Sequence, residues 1–516
     1  MLLIRRLYLL PSFLIVCALY FFFTRISQPP SQAPIAIEGE KAEKPVHWVS
    51  SLPRHPVSSY IPLPTGQPAN IPKIQYSFSI GESAEKKNER LKRQDAVKAS
   101  FERSWNGYKK YAWAKDEVLP VSKQSRSSFG GWGATLVDTM DTLWIMGLRD
   151  EFELGVKAVG AIDFSTNDAD TINVFETTIR YLGGLLAAHD LSDGKYPVLL
   201  DQARKLGEML YAAFDTKHRM PVLRWPWQKS VRGESIAPGS NSLLAEFGSL
   251  SLEFTRLSQL TGDVKYFDAV QRLTNELRRM QNETTLPGIW PVAVDINSWP
   301  TKTPFAHFTL GGMADSTFEY LPKTYLLLSG RGREGEQFRQ MYEDVIEVVE
   351  KHIFFRPMTK NGEDVLLSGN VYANGNGNVT LDPQGQHLGC FTGGMVGLAA
   401  RLFNRPGDIE VAKRLVAGCV WAYKSMPTGL MPELFHALPC LTGISKDNSG
   451  ACDWQEDKWF DGILQRHHFE TRSASPSPEE LREFAKARGL VPGFCDISDR
   501  RYNLRSVSLT MMRSIS

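Results

Sequence analysis

The feature that most constrains this chain is a recurring unit in which a glycine-containing loop leads into a helix with one apolar face. The unit recurs, without strict sequence repetition, in "GGWGATLVDTMDTLWIMGL", "FETTIRYLGGLLAAHDL", "NSLLAEFGSLSLEFTRLSQLTGD", "LGGMADSTFEYLPKTYLLLSG" and "FTGGMVGLAARLFNRPGD". Regular alternation of apolar and polar residues is scarce, so large sheets are not expected. Because paired helices repeated along a chain pack into solenoids or toroids, the sequence predicts an all-α helical toroid.

One segment departs from this helical pattern. "VLLSGNVYANGNGNVTLD", residues 365–382, is rich in β-formers and contains Asn-Gly steps, which suit tight turns between antiparallel strands. The sequence therefore predicts a minor β-hairpin beside the helices.

The segment 1–25 predicts a membrane anchor. Arg5 and Arg6 precede an uncharged run from Leu7 to Phe23, close to the shortest run that spans a bilayer. Bulky residues followed by Arg25 make a poor cleavage site, so an uncleaved signal-anchor is favoured over a cleaved signal peptide. With the arginines in the cytosol, we expect a type II membrane protein whose remaining chain faces the lumen of the endoplasmic reticulum or Golgi.

Residues 26–95 predict a stem that is rich in Pro and Ser at first and charged at its end. Its stretches "QPPSQAP" and "SYIPLPTGQP" carry few large apolar side chains, so we expect the stem to be largely disordered. Amphipathic pattern begins near residue 96, and residues 96–516 can bury the core of a large catalytic domain. A formal net charge of only +2, without a long basic run, argues against nucleic acid as a partner.

Two further features of this domain fit a secretory lumen. Glycosylation sequons begin at Asn282 and Asn378. The cysteines that follow the anchor are odd in number, so at least one should stay free or pair between chains; they are Cys390, Cys419, Cys440, Cys452 and Cys495.

The segment "NVFETTIRYLGGLLAAHD", residues 173–190, predicts a core helix. Its apolar side chains recur at helical spacing and should form one buried stripe: Phe175, Ile179, Leu182 and Leu186. Glu176 and Arg180 lie one turn apart beside that stripe. Their structural interpretation is an ordinary i,i+4 ion pair, which contributes a few tenths of a kcal/mol.

Acidic residues recur at the glycine-loop ends of the predicted helices, where a ring of helix pairs would direct them toward one cavity. The candidates are Asp141, Glu176, Glu246, Asp315, Glu319 and Glu433. Structural alternatives exist, since Ser316 and Glu319 have the spacing of a capping box. Two separated carboxyl groups also suit glycoside hydrolysis, in which one protonates the leaving oxygen and the other activates water.

Tryptophans in the domain fit either sugar stacking or a hydrophobic core. They include Trp132, Trp144, Trp225, Trp227, Trp290 and Trp299. The sequence alone does not separate the two interpretations.

The motifs "GGWGATLVDTMDTLWIMGL", "VFETTIRYLGGLL", "FTLGGMADSTFEYLPK" and "HLGCFTGGM" together resemble the class I α-1,2-mannosidases, glycoside hydrolase family 47. The likeness runs in order from about residue 101 to residue 505. It implies an (α/α)7 barrel with a small β-hairpin, Ca²⁺ as cofactor, and inverting removal of terminal α-1,2-linked mannose from high-mannose N-glycans. It also implies that Glu176 is the general acid, acting through water, that Arg180 lies beside it in the sugar subsite, and that Asp315 is the second essential carboxylate.

The resemblance further implies polar residues that line the substrate cavity: Glu246, Glu319, His387 and Glu433. Asp141, from the acidic set above, and Arg505, within the matching "YNLR", complete the predicted substrate contacts. A disulfide between Cys390 and Cys419 is implied by the same likeness. Met313 stands where members from the endoplasmic reticulum have Arg, which favours the broader trimming of Golgi-type and fungal members.

The likeness ends after Arg505. Ser506 and Val507 stand where the family has Pro and its catalytic base Glu, and no later segment matches the family's Ca²⁺ ligands, so the sequence nominates no metal ligand. We therefore expect an incomplete barrel without its C-terminal helices, and little or no mannose release. Three interpretations stay open: a mannosidase represented by a truncated chain, a catalytically inactive lectin-like relative that binds glycans or glycoproteins, and a remnant without function.

Overall fold

The computed structural model describes residues 46–50, 52–75, 77–78, 81–303, 305–374, 376–444, 452–467 and 476–499. The predicted anchor at 1–25 and the predicted substrate residue Arg505 lie outside these ranges. The described residues from His47 onward belong to one structural unit. None of the helices found in the described ranges is long and apolar enough to cross a bilayer.

Helices dominate the structure, as the recurring glycine-loop units predict. The α-helices are α1 (Ala84–Ala112), α2 (Ala134–Ile145), α3 (Arg149–Gly160), α4 (Val174–Thr177), α5 (Gly183–Leu191), α6 (Pro197–Tyr211), α7 (Trp227–Val231), α8 (Leu244–Gly248), α9 (Ser251–Thr261), α10 (Val264–Met280), α11 (Asp315–Leu327), α12 (Gly332–His352), α13 (Phe391–Leu402), α14 (Pro406–Ser425), α15 (Glu456–Arg466) and α16 (Pro478–Ala487). A π-helical turn joins α4 to α5 at Thr178–Leu182, and 3₁₀ turns occupy Ala212–Phe214 and His387–Cys390.

The helices form two layers. In the inner layer α2 packs against α5, α5 against α9, α9 against α11, and α11 against α13. The strongly amphipathic helices α6, α10 and α12 lie outside, each packed on the inner helix that precedes it in the chain. An outer helix buries one apolar face and leaves a charged face to solvent, which is why its sequence is amphipathic. Alternating inner and outer helices are the arrangement expected for a helical toroid.

The helix predicted over residues 173–190 is present, but the π-helical turn at Thr178–Leu182 divides it. Leu182 and Leu186 are buried as predicted, whereas Phe175 and Ile179 are only half-buried. A π-turn accommodates one extra residue, so side chains before and after it do not share one 3.6-residue stripe. The prediction of a single buried stripe was therefore wrong at its N-terminal end.

Two glycines allow inner helices to approach closely. A Cβ atom at Gly184 would lie 2.6 Å from the carbonyl oxygen of Val137 on α2. A Cβ at Gly248 would lie 2.2 Å from Oγ1 of Thr317 on α11. Any larger residue at either position would separate the helices, so these glycines of the recurring units serve packing within the inner layer.

Strands are short and lie mainly in the loops between helices. They are β1 (Glu117–Leu119), β2 (Gln124–Arg126), β3 (Ile172–Asn173), β4 (Arg224–Trp225), β5 (Ser242–Leu243), β6 (Ala293–Val294), β7 (His307–Thr309), β8 (Phe354–Pro357), β9 (Leu367–Ser368), β10 (Asn370–Ala373), β11 (Val379–Asp382), β12 (Gln384–Gln386), β13 (Leu434–Ala437), β14 (Pro439–Thr442) and β15 (Phe494–Asp499). All of their pairings are antiparallel: β1 with β2, β3 with β4, β5 with β6, and three-stranded sheets in the orders β11-β10-β7, β12-β13-β15 and β14-β8-β9. The predicted hairpin is β10 and β11, in the register from Asn370↔Asp382 to Ala373↔Val379.

Residues 52–75, here called the strap, run along the outer helices and differ from the disordered stem that the composition predicts. Asp215 accepts hydrogen bonds from the backbone N–H groups of Arg54 and His55, both at 2.8 Å. The fully buried Asp268 on α10 accepts from the N–H of Ile61 at 2.8 Å. These carboxylates satisfy backbone donors that the strap cannot pair within itself, and this orders a Pro-rich segment without an apolar core of its own. Helix α1 also starts before the predicted boundary at residue 96.

Two disulfides stabilise the C-terminal half of the unit. Cys390 is joined to Cys419, the pairing that the resemblance implies, and Cys440 is joined to Cys452. Cys495 is a buried free thiol. Five cysteines thus give two bridges and one free thiol, in agreement with their odd number.

Candidate active site

Glu176 lies in the first turn of α4. The Asn173 side chain caps this helix by accepting a hydrogen bond from the Glu176 N–H at 3.2 Å. Arg180, inside the π-turn, donates from Nε to Oε2 of Glu176 at 2.6 Å. The Arg180 guanidinium also lies 5.0 Å from the centre of the Phe129 ring. The predicted pair is therefore formed, and its arginine also contacts the Phe129 ring.

Asp138 is a second acidic neighbour of Arg180 that the sequence analysis missed. Its Oδ2 lies 3.6 Å from Nη1 of Arg180. The surrounding protein atoms raise the pKa of Asp138, Arg180 opposes this rise, and Asp141 on the same helix adds to it. The motif "DTMDTL" held the signal, because residues three apart on a helix share a face. Asp141 itself accepts from Oγ1 of Thr142 at 3.1 Å.

Glu246 lies in the first turn of α8, in the same position on its helix as Glu176 on α4. Nη2 of Arg224 donates a hydrogen bond to Oε1 of Glu246. Arg224 is paired with Asn173 in the β3–β4 ribbon. The residue that caps the helix of Glu176 thus adjoins the residue that binds Glu246, and the two carboxylates are held by one short ribbon.

Asp315 is the first residue of α11 and lies partly buried. Burial raises its pKa, the Ser316 N–H at 2.8 Å from Oδ1 opposes the rise, and Glu319 adds to it. Glu319 accepts a hydrogen bond from Nζ of Lys323 at 2.6 Å. The helix has Ala314 at its N-cap without a side-chain cap, so Ser316 and Glu319 do not form the capping box considered as an alternative.

His387 and Glu433 come together although they are 46 positions apart in the sequence. The His387 N–H donates to the Glu433 carbonyl oxygen at 2.9 Å. The His387 ring is buried, and its Nε2 lies 2.5 Å from the hydroxyl of Tyr423. The Oε2 atom of Glu433 is buried and has no hydrogen-bond partner among the described residues. A buried carboxylate oxygen without a partner is costly, so this group is a candidate for contact with a polar ligand.

Backbone hydrogen bonds connect these positions around the ring. The Ala245 N–H, beside Glu246, donates to the carbonyl oxygen of Met313, two residues before Asp315, at 2.9 Å. The Gly312 N–H donates to Oε1 of Gln386, which precedes His387, at 2.9 Å. Each link joins the loop before one inner helix to the loop before the next. These links bring the segments that carry Glu246, Asp315 and His387 next to one another.

Glu253 is a carboxyl group buried behind this site. It lies on α9, is 9% exposed, and accepts a hydrogen bond at Oε1 from the Tyr320 hydroxyl at 2.8 Å. Its Oε2 atom has no hydrogen-bond partner in the described ranges. Burial raises the pKa of Glu253 to about 7, although Tyr320 and Lys323 oppose the rise. A carboxyl group of this kind can exchange a proton near neutral pH.

The tryptophans divide between the two interpretations left open by the sequence. Trp225, Trp227 and Trp290 are fully buried core residues, and Trp132 is 4% exposed. Trp299 differs, because 49% of it is exposed. A separate cavity of about 870 Å³, lined by Lys360, Trp421 and other residues, contains none of the predicted site residues.

A two-layered helical ring that gathers carboxyl groups at one end has the acid–base equipment of the glycoside hydrolases as a class. The comparisons identify the family. A family profile described as "Glycosyl hydrolase family 47" matches residues 100–506, and the chain belongs to this family. The structure is also similar to that of the "alpha-1,2-mannosidase from Trichoderma reesei", with a TM-score of 0.62, 25% identity, and coverage of 82% of this chain and 92% of that chain. The predicted (α/α)7 barrel class is confirmed by this likeness.

Curated relatives include mannosidases from mammals and fungi. "Mannosyl-oligosaccharide 1,2-alpha-mannosidase IB" of Mus musculus is 34% identical over 353 residues, which is 67% of this chain and 52% of the relative. "Probable mannosyl-oligosaccharide alpha-1,2-mannosidase 1B" of Aspergillus niger is 35% identical over 358 residues, 66% of each chain. "Endoplasmic reticulum mannosyl-oligosaccharide 1,2-alpha-mannosidase" of Homo sapiens is 35% identical, over 67% of this chain and 46% of the relative. The chain therefore spans about half to two thirds of the length of these relatives.

Proposed function

We propose that this chain is a glycosidase that removes terminal α-1,2-linked mannose from high-mannose N-glycans during glycoprotein maturation or quality control. The observation that carries the proposal is the Glu176–Arg180 pair at the mouth of the toroid, next to Glu246 and in the ring of contacts that leads to Asp315. Membership of glycosyl hydrolase family 47 and the names of the curated relatives support the same chemistry.

In the proposed reaction Glu176 supplies a proton, through a water molecule, to the glycosidic oxygen. Arg180 orients the carboxyl group of Glu176 and offers its remaining N–H groups to a sugar hydroxyl. Inversion requires a second carboxylate far enough away to admit the attacking water. This chain has Val507 where the family has its base. We assign the second carboxylate to Asp315, which comes from a different inner helix and whose raised pKa suits a group that takes up a proton.

Calcium is the cofactor that the family resemblance implies. Across the described ranges, no group of three or more His, Cys, Asp or Glu side chains is arranged to hold a metal ion. Calcium prefers six to eight oxygen ligands, which include backbone carbonyls and water. No step of the proposed reaction is routed through this ion.

We further propose that the protein acts in the endoplasmic reticulum or Golgi as a type II membrane protein with a lumenal catalytic domain. The segment 1–25 would be the anchor, and the two disulfides suit an oxidising lumen. One similar human protein carries the endoplasmic reticulum in its name. In this chain Asn282 and Asn378 are exposed, and we propose that they are glycosylated.

A second candidate function is glycan binding without hydrolysis. It is favoured by the sequence after Arg505, where Ser506 and Val507 occupy the positions of the family's Pro and catalytic Glu. A lectin-like protein of this kind would keep Arg180 and the surrounding carboxylates as hydroxyl-binding groups and would not release mannose.

The test incubates the full-length chain with a nine-mannose oligosaccharide and measures released mannose and bound oligosaccharide separately. Because Val507 stands where the family has its base, mannose release by the wild type should be slow. The variant Glu176→Gln keeps the shape of the side chain and should lower the release that remains at least roughly 100-fold. Glu343→Gln is the matched control, because Glu343 forms a similar i,i+4 pair with Arg339 on the outer helix α12. Release by the wild type that survives in Glu176→Gln would contradict the proposed acid. Binding of the oligosaccharide by the wild type without mannose release would favour the second candidate. A wild type that neither binds the oligosaccharide nor releases mannose would contradict both proposals.

A further inference from the structure

Trp299 is the exposed member of an aromatic stack. Its ring lies parallel to the ring of His218, with 4.7 Å between the ring centres and 3° between the planes. His218 covers one face of the indole, so the exposed half of Trp299 includes the opposite face. Burial, helped by Lys217 and His55, lowers the pKa of His218, which favours the neutral form of its ring.

The loop that carries Trp299 is held in place on both sides. Asp295 accepts hydrogen bonds from the N–H groups of Asn297 and Ser298 and from the Ser298 hydroxyl, at 3.0, 3.1 and 2.6 Å. Beyond the tryptophan, the Thr301 N–H donates to Oε1 of Glu276 at 2.8 Å. An exposed aromatic ring in a well-anchored loop loses little conformational entropy when a ligand covers it.

Both rings of the stack lie in loops at the end of the toroid that holds the candidate site. His218 is in the loop between α6 and β4, and β4 contains Arg224, the partner of Glu246. Trp299 follows β6, which pairs with β5 immediately before the helix of Glu246. The two loops follow the outer helices α6 and α10, and the loop with Trp299 leads through β7 to Asp315 at the start of α11.

We propose that Trp299, backed by His218, is a binding platform for a pyranose ring of the glycan, outside the position where cleavage occurs. A pyranose presents one face of C–H groups, which carry partial positive charge, and an aromatic face carries partial negative charge. A neutral stack suits a neutral sugar better than an ion.

This inference rests on the proposed function, since it concerns a second contact with the same glycan. High-mannose glycans are branched, so one arm can occupy the mouth of the toroid while another contacts the rim. A rim contact of this kind strengthens binding through effective concentration without touching the reacting bond. Trp299 would then govern affinity and the choice of arm, and would leave the chemistry at Glu176 unchanged.

The experiment measures the affinity of the full-length chain for a free nine-mannose oligosaccharide by calorimetry, in a Glu176→Gln background that prevents turnover. Trp299→Ala should raise Kd roughly three- to tenfold, the range expected for loss of one aromatic contact. Trp299→Phe keeps a ring and should stay within roughly twofold of the parent. Tyr372→Ala is the matched control, because Tyr372 is also 49% exposed and stacks on His307 at 4.8 Å.

Equal affinities of the Trp299→Ala and Trp299→Phe variants would overturn the proposal, as would an equal loss in Tyr372→Ala. An effect of Trp299→Ala on binding of a glycopeptide, but not of the free oligosaccharide, would also overturn it and assign the platform to polypeptide. Mannose release by the wild-type chain is measured separately. Mannose release by the wild type, together with unchanged affinity in Trp299→Ala, would refute the platform alone. Weakened binding in Trp299→Ala, without mannose release by the wild type, would refute only the hydrolytic function.

Discussion

Replacing Glu253 by Gln should change how the stability of this protein depends on pH. Glu253 is buried among α5, α9 and α11, where Tyr320 donates to one carboxylate oxygen and the other has no hydrogen-bond partner within the described residues. Glutamine has nearly the same shape and keeps an acceptor for Tyr320. The variant therefore removes the titration of this group while leaving most of its packing intact.

The magnitude follows from the pKa of Glu253, which burial raises from 4.5 to about 7. Below pH 4.5 Glu253 is protonated in both the folded and the unfolded chain, so its ionisation does not change the free energy of unfolding. As pH rises toward the higher value, the unfolded chain releases the proton and the folded chain retains it, so the free energy of unfolding falls. At about 1.4 kcal/mol per pKa unit, the wild type should lose roughly 3 kcal/mol relative to Glu253→Gln between pH 4.5 and pH 8.

Urea unfolding of both proteins at several pH values in this range tests the reasoning. The comparison uses the change in stability with pH, because a glutamine amide at this position adds a cost that does not vary with pH. Glu276→Gln is a control with the opposite sign. Although burial acts to raise the pKa of Glu276, hydrogen bonds from Arg279 and Thr301 outweigh it and lower that pKa. The control should therefore lose more stability at neutral than at acidic pH. A Glu253→Gln difference that is constant across the range would refute the argument.

Three further outcomes are expected. Asp215→Ala removes the acceptor of two backbone hydrogen bonds from the strap, so the free energy of unfolding should fall by about 1–3 kcal/mol. Limited proteolysis should then cut within residues 52–75. Resistance to proteolysis equal to that of the wild type would contradict the role of Asp215 in ordering the strap. Replacing Cys390 and Cys419 by Ser opens a loop with a sequence separation of 29 and should cost about 3–4 kcal/mol in thermal unfolding, more than loss of the second disulfide, whose separation is 12. Asp138→Asn weakens the hold on Arg180 and should raise KM for the nine-mannose oligosaccharide more than it lowers kcat; an unchanged KM would show that Asp138 is only a bystander.

The sequence was informative where one local pattern determines the outcome. Each recurring glycine-loop unit supplies an inner helix, because a glycine at the contact and an apolar face suffice to specify close packing. The Asn-Gly steps predicted the β10–β11 hairpin, since tight turns depend on the turn residues themselves.

The features that the sequence analysis missed depend on partners far away in the chain. The strap is ordered by Asp215 and Asp268, which lie at least 160 positions after the residues that they bind. Its local composition alone therefore resembles that of a disordered segment. The ion pair of Asp138 with Arg180 joins α2 to the π-turn, so the pairing itself could not be predicted although "DTMDTL" places Asp138 and Asp141 on one face. Whether Ser316 caps α11 was decided by the Gly311–Ala314 turn, which places Ala314 at the N-cap.

Because of the π-turn at Thr178–Leu182, the number of residues in this helix matters as well as their identity. Successive residues of an α-helix are rotated by about 100°, so removing one residue from the turn would rotate everything after it relative to everything before it. After such a deletion the helix could keep Glu176 in its present orientation or keep Gly184 against Val137, but it could not do both. Deletion of any single residue should therefore be less tolerated here than most substitutions. The number of residues between Glu176 and Gly184 determines how these two residues are oriented relative to each other.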